Sequence, residues 1–305
     1  WLKTELCELR VGSCGAFPDS RMTQPPAGRI KLVENHEEEV KPEGWTRFVC
    51  FSDTHGREGH IREEHRIPAD ILLHAGDFTN AGETGQVKAF SKWLADYPAA
   101  HKVVIAGNHD ITFEPDYYER AWNRFHAKKM SSEEARSALL DSGSCHYLED
   151  ELVEVMGYKI YGSPWQPEFC DWAFNIPGKK ALKETWSKIP HDAEVVITHG
   201  PPRGIGDLCF NGIRAGCEEL LLAIQQRRTP IHLFGHIHEG YGTVLKGDTL
   251  YVNASTCTLK YRPTNPPIVM DVPPASDLWP DGSIDATSPQ PTGELCTVAS
   301  DEGED

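Results

Sequence analysis

The sequence predicts an α/β layered domain with its functional residues at the carboxyl ends of the strands. Three observations carry this. Short apolar, β-branched runs alternate with segments of helical period along most of the chain. The runs are apolar at nearly every position rather than at every second one, the pattern of strands buried on both faces. Five of the runs end in a short cluster containing Asp, Asn or His. In open α/β sheets ligands gather outside the carboxyl ends of the strands.

Residues 1–45 have no clear period and carry Pro25-Pro26, Glu37-Glu38-Glu39 and Pro42, so they read as an extended or poorly ordered lead-in. The first strand, Phe48-Val49-Cys50-Phe51, runs into Asp53-Thr54-His55. The second, Ile71-Leu72-Leu73-His74, runs into Gly76-Asp77. A helix is expected over Thr84–Tyr97, then the strand Val103-Val104-Ile105-Ala106, ending in Gly107-Asn108-His109. Helices follow at Asp116–Ala127 and Ser132–Ser142; Ser131-Ser132-Glu133-Glu134 has the form of a capping box. Strands at Leu152–Val155 and Lys159–Tyr161 and a helix at Ala181–Ile189 precede Val195-Val196-Ile197, which ends in Thr198-His199-Gly200. In the helix at Gly216–Arg228, Leu220, Leu221 and Ile224 share one side, and Arg227 and Arg228 suit its C-terminal end. Ile231-His232-Leu233-Phe234 ends in Gly235-His236-Ile237-His238, and strands at Leu250–Asn253 and Ile268–Val272 close the domain. Beyond Pro273, Pro, Ser, Gly and Asp dominate, which predicts a disordered tail over 273–305.

Net charge is −16, and the tail carries eight acidic residues with no Lys or Arg. That balance is the opposite of a nucleic-acid-binding face, so no nucleic-acid polymer is expected as a partner. A small phosphate held by metal ions is compatible with it. No apolar run approaches the ~18–20 residues of a bilayer span, so no membrane is expected either. The nine cysteines are scattered and never spaced as CxxC, which fits reduced thiols and a cytoplasmic setting.

The ligand types define the chemistry. Asp53 and Asp77 offer anionic oxygens, Asn108 a neutral carbonyl oxygen, and His55, His199, His236 and His238 imidazoles. Without thiolates this is a poor structural zinc site; it suits divalent Mn, Fe, Zn, Co or Ni. Seven ligands exceed what one ion takes, and two ions sharing a carboxylate would use them well. Such a pair makes hydroxide available at neutral pH and neutralises a phosphoryl group. Alternation along an extended segment puts Asp53 and His55 on one side, and likewise His236 and His238, whereas the adjacent Asn108 and His109 diverge. His109 is therefore free to face a substrate. Glycines at 76, 107, 200 and 235 permit close backbone approach at the strand ends.

The ordered set Asp-x-His, Gly-Asp, Gly-Asn-His-Asp, His and Gly-His-x-His resembles the motif series of calcineurin-like metallophosphoesterases. Ile160-Tyr161-Gly162-Ser163-Pro164-Trp165-Gln166-Pro167, Thr198-His199-Gly200-Pro201-Pro202, Asn253-Ala254-Ser255 and Thr264-Asn265-Pro266-Pro267 bring the likeness closer to the metallophosphoesterase-domain-containing (MPPED-type) phosphodiesterases. It covers roughly residues 46–272. The resemblance implies a metallophosphoesterase-type β-sandwich flanked by helices, with a dinuclear site at the strand ends. It implies one metal on Asp53, His55, Asp77 and His238, and a second on Asp77, Asn108, His199 and His236, with Asp77 bridging. Manganese is the expected ion. His109 would act as general acid or phosphate ligand, beside catalytic roles for Asp77 and Asn108. Substrate contacts are expected from His55, His109, Asn253 and Tyr241. Position 110 is Asp where this subfamily often has Glu, which bears on a contact with His109. His236, lost in some members, is present, which favours an active enzyme.

Two absences narrow the substrate. Gly76-Asp77-Phe78-Thr79-Asn80-Ala81-Gly82 lacks the Arg of similar Ser/Thr protein phosphatases. Asn80 stands where purple acid phosphatases have a metal-binding Tyr. The expected function is a phosphodiesterase acting on cyclic nucleotides or aryl phosphodiesters through a metal-bridging hydroxide. The alternative is a nucleotide-binding scaffold or sensor with residual activity, its acidic tail open to a protein partner. Trp165, Phe169, Trp172, Phe174 and Asn175 form either a loop packed on the core or a wall that stacks a nucleobase or aryl group. His74 is either a satisfied core histidine or the orienting partner of a ligand.

Overall fold

The computed structural model describes residues 29–278. The first 28 residues of the lead-in and all but the start of the acidic tail lie outside the described residues.

In chain order the first strands are β1 (Lys31–Leu32), β2 (Thr46–Phe51), β3 (Ala69–His74), β4 (Ala99–Val104), β5 (His146–Tyr147), β6 (Glu151–Val155) and β7 (Tyr158–Ser163). Then come β8 (Gln166–Pro167), β9 (Asn175–Ile176), β10 (Val195–Thr198), β11 (Ile231–Phe234), β12 (Gly242–Lys246), β13 (Thr249–Asn253) and β14 (Ile268–Val272). The helices are α1 (Thr84–Asp96), α2 (Pro115–Ala121), α3 (Ser132–Leu140), α4 (Lys179–Ser187), α5 (Glu218–Arg227) and a single turn, α6 (Ala275–Leu278).

Two six-stranded mixed sheets result, ordered β1-β14-β2-β3-β4-β5 and β12-β13-β11-β10-β7-β6. Their centres, β2-β3-β4 and β7-β10-β11-β13, are parallel. Strand alternation explains the unbroken apolar runs. Phe48, Cys50, Ile71, Leu73, Val103 and Ile105 face the second sheet, where Ile160, Val195, Ile197, Ile231, Leu233 and Val252 meet them. Val49, Phe51, Leu72 and Val104 face outward and are covered by α1, α2 and α3 through Phe90, Leu94, Tyr118 and Leu139. On the far side Tyr161, Val196 and Tyr251 pack under α4 and α5 through Leu182, Trp186, Leu220 and Ile224. Each such side chain, fully buried, contributes roughly 1.5–3 kcal/mol. The result is a helix–sheet–sheet–helix sandwich, the expected α/β fold class. Among the described residues no helix is long and apolar enough to cross a membrane.

Several elements differ from expectation. The helix expected over Asp116–Ala127 stops at Ala121, whose φ of −121° leaves the helical region, and continues as a 3-10 turn at Trp122–Arg124. There Tyr118 pulls the chain back, its hydroxyl bonding His126 Nδ1 at 2.8 Å and accepting the Met130 N–H at 3.0 Å. The β12–β13 hairpin was not expected, although Gly247-Asp248 between apolar runs carries its turn signal. Part of the lead-in is ordered. β1 pairs antiparallel with β14, and Arg47 forms a buried ion pair with Asp271 at 2.7 Å while bonding the Glu39 carbonyl. Past β14, α6 places Leu278 wholly inside the inter-sheet core.

Candidate metal centre

β2, β3, β10 and β11, and the loop after β4, end at one edge of the sandwich, and each delivers its polar cluster there. Delivery requires backbone that ordinary residues avoid. Asp53, His55, Asp77 and His236 all have left-handed φ, between 48° and 65°. Such strain in non-glycine residues is concentrated at functional sites and is held only by surrounding structure. Close packing fixes the glycines too. A Cβ on Gly235 would lie 2.1 Å from Asp53 Oδ2, and one on Gly107 would lie 2.3 Å from Asp77 Oδ1.

The side chains form two groups about Asp77. Asp53, His55 and His238 bring their ligand atoms within 4.8 Å of one another, as do Asp77, His199 and His236. Asp77 also groups with His55 and His109. His55 Nε2 lies 3.3 Å from His238 Nε2, and His238 Nε2 lies 3.4 Å from Asp53 Oδ1. His199 Nε2 is 3.3 Å from Asp77 Oδ2 and 3.0 Å from Asn108 Oδ1. The structure thus gathers all seven candidate ligands, Asp53, His55, Asp77, Asn108, His199, His236 and His238, with Asp77 between the two groups.

Hydrogen bonding fixes which ring nitrogens face inward. Backbone carbonyls only accept, so each carbonyl on an Nδ1 demands a proton there. Nδ1 of His55 donates to Thr79 O, of His238 to Thr258 O and of His199 to Ala75 O, at 3.3, 3.1 and 2.8 Å. Nε2 of each ring then points inward, those of His55 and His238 at each other and that of His199 at Asn108 Oδ1 and Asp77 Oδ2. With both rings neutral, the Nε2 lone pairs of His55 and His238 face each other at 3.3 Å and repel unless a cation sits between them. The donor set therefore fits divalent ions, with the carbonyls as the orienting partners that metal-binding imidazoles ordinarily have.

Electrostatics agree. Burial works to raise Asp53 and Asp77, yet the surrounding histidines hold both carboxylates below their ordinary values. Burial pushes His55 down to about 4 and His236 down to about 3, so both are neutral ligands at pH 7. Burial also opposes protonation of His199, but Asp77 beside it holds it up at about 9. Each protonated histidine is lost to metal, so affinity falls with pH.

Other expected residues sort differently. His109 Nδ1 bonds Asn80 O at 2.7 Å and its ring stacks on Trp172 at 4.1 Å. Among the described residues no hydrogen bond joins Asp110 to that ring. Its carboxylate accepts from Gly107 N, Thr79 N and Thr79 Oγ1 at 2.7–2.9 Å, tying the loops that carry Asp77 and Asn108. Burial, with Asp77 close by, pushes Asp110 up to about 8. Asn253 is buried, and its amide is fully engaged with backbone at Ile237 O, Gly206 O and Ser255 N. It therefore fixes the turn between His236 and His238. Tyr241 points away, donating to Pro266 O in a separate groove lined by Leu32 and Val33. His74 orients rather than merely fills. It accepts the Gly76 N–H, and its other nitrogen meets Thr54 Oγ1 at 3.1 Å, which donates to Glu58 at 2.7 Å.

The aromatic segment divides between the two expectations. Phe174 is core, with Trp165 against it, whereas Trp172 stacks on His109 and Phe169 abuts His236 at 5.0 Å. Sequence reasoning missed Tyr261, whose ring lies 4.7 Å from that of His55, and the Cys209–Asn211 loop that closes the cavity over the site. Neither lies in a motif or in a periodic element.

The calcineurin-like phosphoesterase family matches residues 46–240. Metallophosphoesterase domain-containing protein 1 of Homo sapiens and that of Mus musculus are each 45% identical over 263 residues, covering 82% of this chain and 78% of the relative. A solved structure superposes with a TM-score of 0.50 at 15% identity, covering 68% of this chain and 90% of the other, a likeness of fold alone. Motif order, gathered ligands and the extent of the match make this chain a member of the calcineurin-like phosphoesterases, a family generally of metal-dependent hydrolases of phosphoester bonds.

Proposed function

We propose that the chain is a metal-dependent phosphodiesterase acting on small phosphodiesters, cyclic nucleotides or aryl phosphodiesters among them. The observation that carries this is the set of inward Nε2 atoms of His55, His199 and His238, each backed by a carbonyl on Nδ1 and gathered at 3.0–3.4 Å with Asp53, Asp77 and Asn108. One divalent ion would be held by Asp53, His55, Asp77 and His238, and a second by Asp77, Asn108, His199 and His236; manganese is the proposed metal. When bound, the pair supplies Lewis acidity, which acidifies water and offsets phosphoryl charge.

The chain's own residues do the rest. Asp77 fixes the spacing of the two groups, and its Oδ1 also accepts the His109 N–H at 2.8 Å. The Asn80 carbonyl on Nδ1 and the Trp172 stack hold His109 so that Nε2 is free. From there it delivers a proton to the leaving oxygen or holds a phosphoryl oxygen. Among the described residues Cys50, Cys145, Cys170, Cys209, Cys217 and Cys257 form no disulfide with one another, and the proposed setting is a reducing, cytoplasmic one.

Metal analysis of purified protein beside a phosphodiester panel, with and without Mn²⁺, tests the proposal. Asp77→Ala should lose bound metal and nearly all turnover. His109→Ala should keep its metal and lose on the order of 10²–10⁴-fold in rate. Tight nucleotide binding without turnover by the Mn-loaded protein would overturn the enzyme reading in favour of a scaffold.

A further inference from the structure

Two cavities flank the metal centre, and what lines them constrains the alcohol group of the substrate. The first, of about 350 Å³, is floored by Asp77, Asn108, His109, His236 and His238 and walled by Phe169, Phe210, Leu259 and Tyr261. The second, of about 340 Å³, lies across Phe169, Cys209, Asn211 and His236 and reaches Ile213 and Pro201. Among the described residues no Lys or Arg lines either one, and the charged side chains other than the candidate ligands are Glu239 and Glu168. Lys260 and Arg262, which flank Tyr261 in sequence, are not among the lining residues.

The apolar walls are exposed and held in place. Phe210 is 82% exposed, Ile213 61% and Leu259 49%. The loop of Phe210 and Ile213 is not loosely tethered. Buried Asp207 accepts from Arg214, Gly204 N and Gly216 N, the Cys209 N–H bonds Ile213 O, and the Phe210 N–H bonds Glu239. A braced turn that presents large apolar side chains to water at the mouth of a polar site has the composition of a ligand wall.

We propose that Phe169, Phe210, Leu259 and Tyr261 form a specificity wall for a neutral, hydrophobic ester group on the substrate, and that the site disfavours anionic substituents such as a second phosphate. This rests on the phosphodiesterase reading above. In the reaction the oxygen of water bonds to phosphorus. The bond to the leaving oxygen breaks with its electron pair; one proton of the water stays on the new monoester, and the other goes to the leaving oxygen, or to solvent where p-nitrophenolate leaves. The other ester group stays on phosphorus, against the wall.

The test uses the Mn-loaded protein and a series of p-nitrophenyl phosphodiesters sharing one leaving group, with methyl, butyl, benzyl or 4-carboxybenzyl as the retained ester. With rates normalised to spontaneous hydrolysis, kcat/KM should rise on the order of 10- to 100-fold from methyl to benzyl, and the carboxylate should reverse most of that gain. Phe210→Ala, at an exposed position, should reduce the benzyl-to-methyl ratio to a few-fold. A flat series, a gain from the carboxylate, or an unchanged ratio in Phe210→Ala would overturn the wall while leaving the phosphodiesterase reading intact. Hydrolysis of no member would overturn both.

Discussion

Glu58 is a carboxyl group 5% exposed, and among side chains it bonds that of Thr54, its link to His74. Burial raises it from 4.5 to about 7. The sign follows from linkage. Below pH 4.5 folded and unfolded chains both hold the proton. Between 4.5 and 7 the unfolded chain gives it up while the folded chain keeps it, so stability falls as pH rises; above 7 the loss is constant. A shift of this size corresponds to about 3 kcal/mol at most. Glu58→Gln keeps an acceptor for Thr54 and removes the titration. In the metal-free protein, urea unfolding at pH 4.5 and at pH 8 should show the variant gaining up to about 3 kcal/mol on the parent at pH 8 and about nothing at pH 4.5. An advantage independent of pH, or a variant weaker at pH 8, would refute the view that desolvation of this carboxyl strains the loop carrying Asp53 and His55.

Three further outcomes follow from packing around the site. Gly235→Ala drives a methyl into Asp53 and Ser52 and should destabilise by roughly 1–3 kcal/mol in urea unfolding, with a matching loss of metal content. Arg47→Met leaves Asp271 buried without its partner and should lower stability by roughly 3–5 kcal/mol, read by the same titration. Trp172→Ala frees the ring of His109 and should lower kcat of the Mn-loaded protein, leaving metal content unchanged.

Much of the site was legible because each ligand sits one to four residues past the end of a buried strand, and a strand buried on both faces writes itself as an unbroken apolar run. The run locates the sheet edge, and the side-chain type then declares the chemistry. What failed was whatever depends on contacts between distant segments. Asn253 and Tyr241 were placed near substrate because they follow or precede motif residues. Period-2 geometry cannot say that the Asn253 amide bonds Ile237 O, or that the Tyr241 hydroxyl donates to Pro266 O. Asp110 misled in a related way: its neighbour His109 suggested a direct contact, yet its carboxylate reaches 31 residues back to Thr79. Tyr261 and Phe210 lie in loops without a motif, and loops take their shape from what they cross. The division is physical. Metal ligands are dictated by the ion, whose demands are the same in every fold. A specificity wall needs only apolar area at the right distance, which many residues and many loops can provide. Substrate choice in this chain is therefore expected to lie in Phe210, Leu259 and Tyr261, which no motif marks, and in Phe169, whose aromatic segment left two readings open.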